Sequence, residues 1–168
     1  EKFGEKAPKF TLLSNTNKEY FTIEEYKEKV KANQTDKDDK LVFIYTNDAQ
    51  QHHSFVKSAE EKGYDVLEMN NVIDNHFMQH LEFKGQEFRF VRVDSETPDR
   101  LINKDAELES VLSEAEVEKV KEVFGGALGD GIKNKMETKS LSPNDHPVVI
   151  TRPEFMRRMQ EMQALQGG

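Results

Sequence analysis

The sequence predicts an α/β fold with a short parallel sheet, set within a polar and mostly helical chain. Three observations carry this. Leu41-Val-Phe-Ile-Tyr45 is a continuous apolar run of strand length, the pattern of a strand covered on both faces. A helical pattern follows, with His52, Phe55, Val56 and Ala59 on one face, and it is closed by Gly63. A second strand pattern, Tyr64-Asp-Val-Leu-Glu-Met69, then returns within a few residues, as a right-handed parallel crossover requires.

The elements on either side can be justified in order. Residues 1–19 mix charges with Gly4, Pro8 and the turn Asn15-Thr-Asn17, which reads as a helix remnant and a loop. Thr22 and Glu25 have the spacing of a capping box, and Phe21 and Tyr26 that of a hydrophobic staple, so a helix starts at 22 and runs to about 31. Residues 33–39 are a polar loop. Asp48 is placed as the N-cap of the crossover helix, with Gln51 three residues on. A short helix from Asp74 to Leu81 packs Phe77, Met78 and Leu81, Gly85 turns the chain, and Glu87–Val93 forms a third strand. Residues 94–106 are polar, contain Pro98 and read as a linker. Residues 107–124 are helical, with Ser113 and Glu116 spaced as a capping box that marks a break between two helices, and the segment Gly125-Gly-Ala-Leu-Gly-Asp-Gly131 ends the helical region. Ile132–Thr138 alternates weakly, Val148–Thr151 reads as a strand, and Pro153–Gln166 as a tail helix with its proline in the first turn.

Composition narrows the function classes. The chain has 168 residues, 33% of them charged, with a formal net charge of −8. The acidic excess is local, since residues 94–124 carry ten acids against four bases. No basic stripe interleaved with aromatics is present, which argues against nucleic-acid binding. No apolar run approaches the roughly 20 residues of a membrane span, and the charged start Glu1–Lys6 does not resemble a signal peptide. With no cysteine, disulfides are excluded and a reducing compartment is expected. A start at Glu1 and an end at Gly167-Gly168, just after a helix pattern, suggest an excised piece of a longer chain.

No catalytic constellation emerges. Gly126 and Gly131 have the spacing of a phosphate-loop pair, but Ile132-Lys133 stands where lysine and a hydroxyl residue are needed. His76 and His80 are four apart on a short helix, yet no glutamate follows His76 and no third ligand is evident, so no metal site is assigned. His52 reads as a core-edge histidine with a local partner. The tail helix is more telling. Phe155, Met159 and Met162 fall at helical spacing, Met156 lies beside them, Leu165 extends the stripe, and Arg157, Arg158 and Glu161 take the other side. Three of the six methionines fall within seven residues. Such a stripe either packs on its own domain or forms an adaptable partner surface, because methionine is flexible and polarizable.

With these residues identified, the chain resembles the ninety-kilodalton heat-shock chaperone family in its bacterial form. The matching segments are Tyr20–Tyr26, Lys40–Met69, Val72-Ile-Asp74 through Leu81, Phe83-Lys-Gly85, Pro147–Thr151 and the tail helix. The resemblance implies that residues 1–39 end a middle-domain helical coil. It implies that 40–93 form that domain's small three-layer α/β/α subdomain, that 94–106 link it onward, and that 107–168 are an α+β segment opening the C-terminal domain. For an intact protein it implies an ATP-dependent cytoplasmic chaperone, using ATP and magnesium, homodimeric and binding unfolded clients. For this chain it implies a non-catalytic part that holds no cofactor. It further implies client contact at Phe155, Met156, Met159, Met162 and Leu165, and at His76 and Gln79 on the short helix. The family often carries an aromatic residue where His76 stands. The alternative is a small-ligand module at Tyr45-Thr46-Asn47-Asp48, where a parallel strand ends before a helix N-terminus.

Overall fold

The structure is a computed structural model that describes residues 9–85, 87–103, 110–128, 136–141 and 147–165, apart from the side chains of Glu161, Met162, Ala164 and Leu165. It divides into two compact units, residues 1–104 with 148–168, and residues 105–147.

The first unit is built around β3 (Leu41–Thr46). This strand is central in a three-stranded parallel sheet, flanked by β4 (Val66–Glu68) and β5 (Phe88–Arg92). Its alternate side chains feed two separate cores, as the two-residue period of a strand dictates. Phe43 and Tyr45 join Leu67, Met69, Phe88 and Phe90 on one face. There they meet Ile23, Tyr26 and Val30 of α1 (Ile23–Val30) and Met78 and Leu81 of α3 (Asp74–Gly85). Val42 and Ile44 join Val66, Val91 and Val93 on the other face, against Val56 and Ala59 of α2 (His53–Glu61). The expected three-layer arrangement is present.

The first core is aromatic. Phe43 stacks on Phe88 with ring centroids 4.6 Å apart, and Tyr26 and Phe90 meet it edge-on at 4.9 and 5.4 Å. Offset and edge-to-face pairs of this kind add about 0.5–1.5 kcal/mol each beyond area burial. The entry to α1 follows its sequence signature. Thr22 Oγ1 accepts from the Glu25 amide, Glu25 Oε2 accepts from the Thr22 amide, and the Phe21 and Tyr26 rings sit 5.8 Å apart.

Several segments differ from the sequence reading. Leu12–Ser14 (β1) and Tyr20–Thr22 (β2) form an antiparallel hairpin around the Asn15–Asn17 turn, in a stretch read as loop. Asn15 is fully buried, and its Nδ2 donates to Glu19 and Asp65. Gln34, read as part of a polar loop, is also buried. Its Nε2 donates to the Val42 carbonyl and its Oε1 accepts the Asp65 amide, so one side chain ties the exit of α1 to two segments. Asp48 caps a preceding turn through the Gln50 and Gln51 amides, and α2 itself begins only at His53.

The stretch read as a linker is partly core. Leu101 and Ile102 are buried with the second cluster, Ser95 and Thr97 are buried, and Arg89 Nη2 donates to the Ile102 carbonyl. Composition hid this because two apolar side chains suffice to cover the remaining face of a sheet only three strands wide.

In the second unit, residues 110–113 are not helical and α4 spans Glu114–Leu128. Ser113 starts it, its amide and hydroxyl both donating to Glu116 Oε2 at 2.8 and 2.7 Å. The helix continues through Gly125 and Gly126 to Leu128, within the glycine-rich segment 125–131 read as its end. Leu108, Gly131, Ile132–Lys135 and residues 1–8 lie outside the described residues. Val148–Thr151 forms no strand, and the tail helix α5 spans Glu154–Leu165 in the first unit.

Two measurements check this packing. Gly63 has φ +78°, and a Cβ there would lie 3.3 Å from Asn33 Nδ2. Gly63→Ala is expected to lower unfolding free energy by about 1–2 kcal/mol in denaturant titration. Burial lowers the pKa of His52 against the opposing pull of Asp94, and its Nδ1 lies 2.8 Å from Thr46 Oγ1. A depressed imidazole favours the folded state while neutral. That stability is therefore complete above the ordinary value of 6.5 and is lost as pH falls below it. Replacing His52 by Gln is expected to flatten the fall in thermal stability from pH 6.5 downward.

Candidate functional site

The candidate surface is α5 and its seat on the sheet. Pro153 precedes the helix and its carbonyl accepts the Arg157 amide, so a residue that lacks an N–H occupies a place where none is needed. The approaching chain is fixed one step earlier, where the Arg152 amide donates to the Asp94 carbonyl at 3.0 Å.

α5 docks by its charged side. The Glu154 carboxylate accepts from Arg157, from Arg158 Nε at 2.7 Å, from Tyr45 Oη at 3.3 Å and from the Arg92 amide at 3.3 Å. Arg157 is buried, donates to Tyr45 Oη and lies over that ring with its guanidinium carbon 5.6 Å from the centroid. Arg158 reaches α3, pairing with Glu82 at 2.8 and 3.2 Å, and donates to the Phe90 carbonyl. Burial alone would raise the Glu154 carboxyl, but hydrogen bonds and charge from Arg157 and Arg158 hold it below its ordinary value. Burial alone would lower Arg158, and its two glutamates raise it instead. Both shifts favour the charged forms of Glu154 and Arg158.

The apolar residues consequently face outward. Phe155 is 75% exposed, Met156 49% and Met159 39%. These three side chains are therefore not packed into the core of their own unit. The side chains of Met162 and Leu165 lie outside the described residues.

The second predicted cluster lies on α3. His76 is exposed and Gln79 half-buried, while Met78 and Leu81 on the opposite face enter the aromatic core. Phe83, 86% exposed, shares the outward face at helical spacing with His76 and Gln79, and Val72 and Ile73 are exposed just before the helix. The sequence reading gave these three residues no contact role, although the spacing of 76, 79 and 83 was available to find Phe83. Glu82 and Glu154, which seat α5, were missed for a different reason, since nothing in a single sequence marks Glu82 and Arg158, 76 positions apart, or Glu154 and Tyr45, 109 apart, as partners.

The small-ligand alternative finds its site already filled. Thr46 is buried, its hydroxyl accepts the Asp48 amide and contacts His52, and the Asp48 carboxylate takes the Gln50 and Gln51 amides. The donors that an anion would use are thus met by the chain's own acid.

Comparison with known proteins places the chain in a family. The Hsp90 protein family model matches residues 9–167. The chaperone protein HtpG of Bacteroides thetaiotaomicron is 39% identical over 170 residues, and those of Bacteroides fragilis and Porphyromonas gingivalis are each 38% identical. Each match covers 100% of this chain and 25% of the relative, so the chain spans about a quarter of their length. The middle domain of a Plasmodium falciparum heat shock protein covers 57% of this chain and 40% of its own, with 15% identity and a TM-score of 0.41, a loose likeness that adds nothing to the assignment. With a family model spanning nearly all of it and relatives sharing more than a third of its residues, the chain belongs to the Hsp90 family, among proteins similar to bacterial HtpG.

Proposed function

We propose that this chain is a non-catalytic, client-contacting part of an ATP-dependent chaperone. The observation that carries the reading is α5, seated through Glu154, Arg157 and Arg158 with Phe155, Met156 and Met159 turned to solvent. A helix that spends its charges on docking and leaves its sulfur and benzyl groups wet presents a tolerant apolar surface. Met162 and Leu165 continue it in sequence, and His76 and Gln79, flanked by Phe83, offer a second contact on α3. Family membership and the HtpG relatives support the chaperone role.

In the intact protein, ATP and magnesium would bind elsewhere, the protein would be a cytoplasmic homodimer, and nucleotide-driven rearrangement would move such patches relative to one another. No helix among the described residues is long and apolar enough to cross a membrane. Neither nucleic acid nor membrane is proposed as a partner.

The full chain carrying Met159→Ser and Met162→Ser is expected to bind a labelled, reduced and alkylated unfolded polypeptide about tenfold or more weakly, because a buried methionine contributes roughly 1.5–3 kcal/mol before ordering costs. Its circular dichroism should be unchanged, since Glu154, Arg157 and Arg158, which seat the helix, are retained. Unaltered affinity in a folded double variant would remove α5 from the contact surface.

A further inference from the structure

The outer edge of β5 is closed by side chains where a strand would otherwise close it. Its inner groups pair with β3, as in the Val93 amide to the Tyr45 carbonyl. Facing outward, the Phe90 amide donates to Glu82 Oε1 at 2.6 Å, and the Phe90 carbonyl accepts from Arg158 Nη2 at 3.1 Å. The Arg92 amide donates to Glu154 Oε2 at 3.3 Å. Carboxylate, guanidinium and carboxylate therefore face N–H, C=O and N–H in turn. That is the succession of acceptor, donor and acceptor which a neighbouring backbone would offer. Arg158 ties the set together, bonded to Glu82 and Glu154 at once.

The nature of this cover matters. An open sheet edge is a template for another chain, and a charged or covered edge blocks that pairing. Here the cover is held by ions, while the apolar side of the same helix contributes Phe155, Met156 and Met159 to solvent. The Arg158 and Glu82 side chains are 25% and 21% exposed. Partly hydrated pairs are weaker holds than apolar burial, and they weaken further with salt. Release of α5 would free the Phe90 carbonyl and the Arg92 amide together, and Glu82 would lose its bridging cation.

We propose that the β5 edge is a binding site for an extended polypeptide segment, held shut by the Glu82–Arg158–Glu154 bridge and opened when α5 lifts. The partner is recognised by its backbone: a short extended stretch with free amides and no proline, added as a fourth strand. The proposal rests on the reading that this chain takes unfolded polypeptide. It differs in using main-chain groups of β5 in place of the apolar stripe on α5, so the two can fail separately.

The test uses the full chain and two labelled probes. One is a Val/Thr-rich peptide of about eight residues, long enough for a strand. The other is the same peptide N-methylated at every amide. Glu154→Ala with Arg158→Ala is expected to bind the unmodified peptide at least about tenfold more tightly than the parent chain, and the methylated peptide not measurably. Amide exchange at Arg92 should quicken in the variant and slow again when peptide is added. Adding Met159→Ser and Met162→Ser to the guard variant should leave its gain in peptide affinity at about tenfold or more, which separates this site from the stripe. If the guard variant does not fold, the parent chain in about 1 M salt serves, where screening loosens the bridge and added peptide should slow exchange at the Arg92 amide. Equal peptide affinity in parent and variant, equal binding of the methylated probe, or exchange at Arg92 that ignores the peptide would each overturn the proposal.

Discussion

Burial of β3 on both faces is the constraint from which the first unit follows. Val42, Phe43, Ile44 and Tyr45 are all essentially inaccessible. A strand so placed demands hydrogen-bonding neighbours on both edges and a layer on each side. β4 and β5 meet the first demand. α1 and α3 on one face, with α2 and residues 101–102 on the other, meet the second. The division of labour between faces is chemical. Aromatic rings dominate the side toward α1 and α3, and branched aliphatics the side toward α2.

A sheet of three strands ends quickly, and its rims are managed with polar groups. At the β4 rim, the Thr16 amide donates to the Val66 carbonyl, and buried Asn15 ties the hairpin to Asp65. At the β5 rim, Glu82, Arg158 and Glu154 supply what a strand would. Beyond the carboxyl ends of the strands, Arg92 and Asp94 form a buried pair beside His52 and Thr46. Buried charges persist only when paired and hydrogen-bonded, so each of these clusters fixes the position of the segment that brings it.

The seat of α5 links fold to function through this economy of polar groups. Because the helix satisfies Tyr45, Arg92 and Phe90 with its charged residues, its apolar side has nothing left to cover and turns outward. The same contacts that expose Phe155 and Met159 also shut the β5 edge. A single displacement of α5 would therefore alter two surfaces of opposite character, one apolar and one hydrogen-bonding.

The sequence by itself determined the elements whose signals are local. The apolar run 41–45, the capping box at Thr22–Glu25, the helix start at Ser113 where Glu116 reaches back to the Ser113 amide, the staple of Phe21 and Tyr26, and the left-handed Gly63 each depend on neighbours within a few residues, and each stands as read. The α5 stripe was equally legible as a pattern. Only the tertiary structure decided which way the stripe faces, because that choice depends on Glu154 and Arg158 meeting Tyr45, Glu82 and Phe90 from 68 to 109 positions away. It likewise decided that Asn15 and Gln34 are buried and that Leu101 and Ile102 close a core. A polar side chain is buried when distant backbone groups satisfy it, and that is a property of the packed chain which no local spacing encodes.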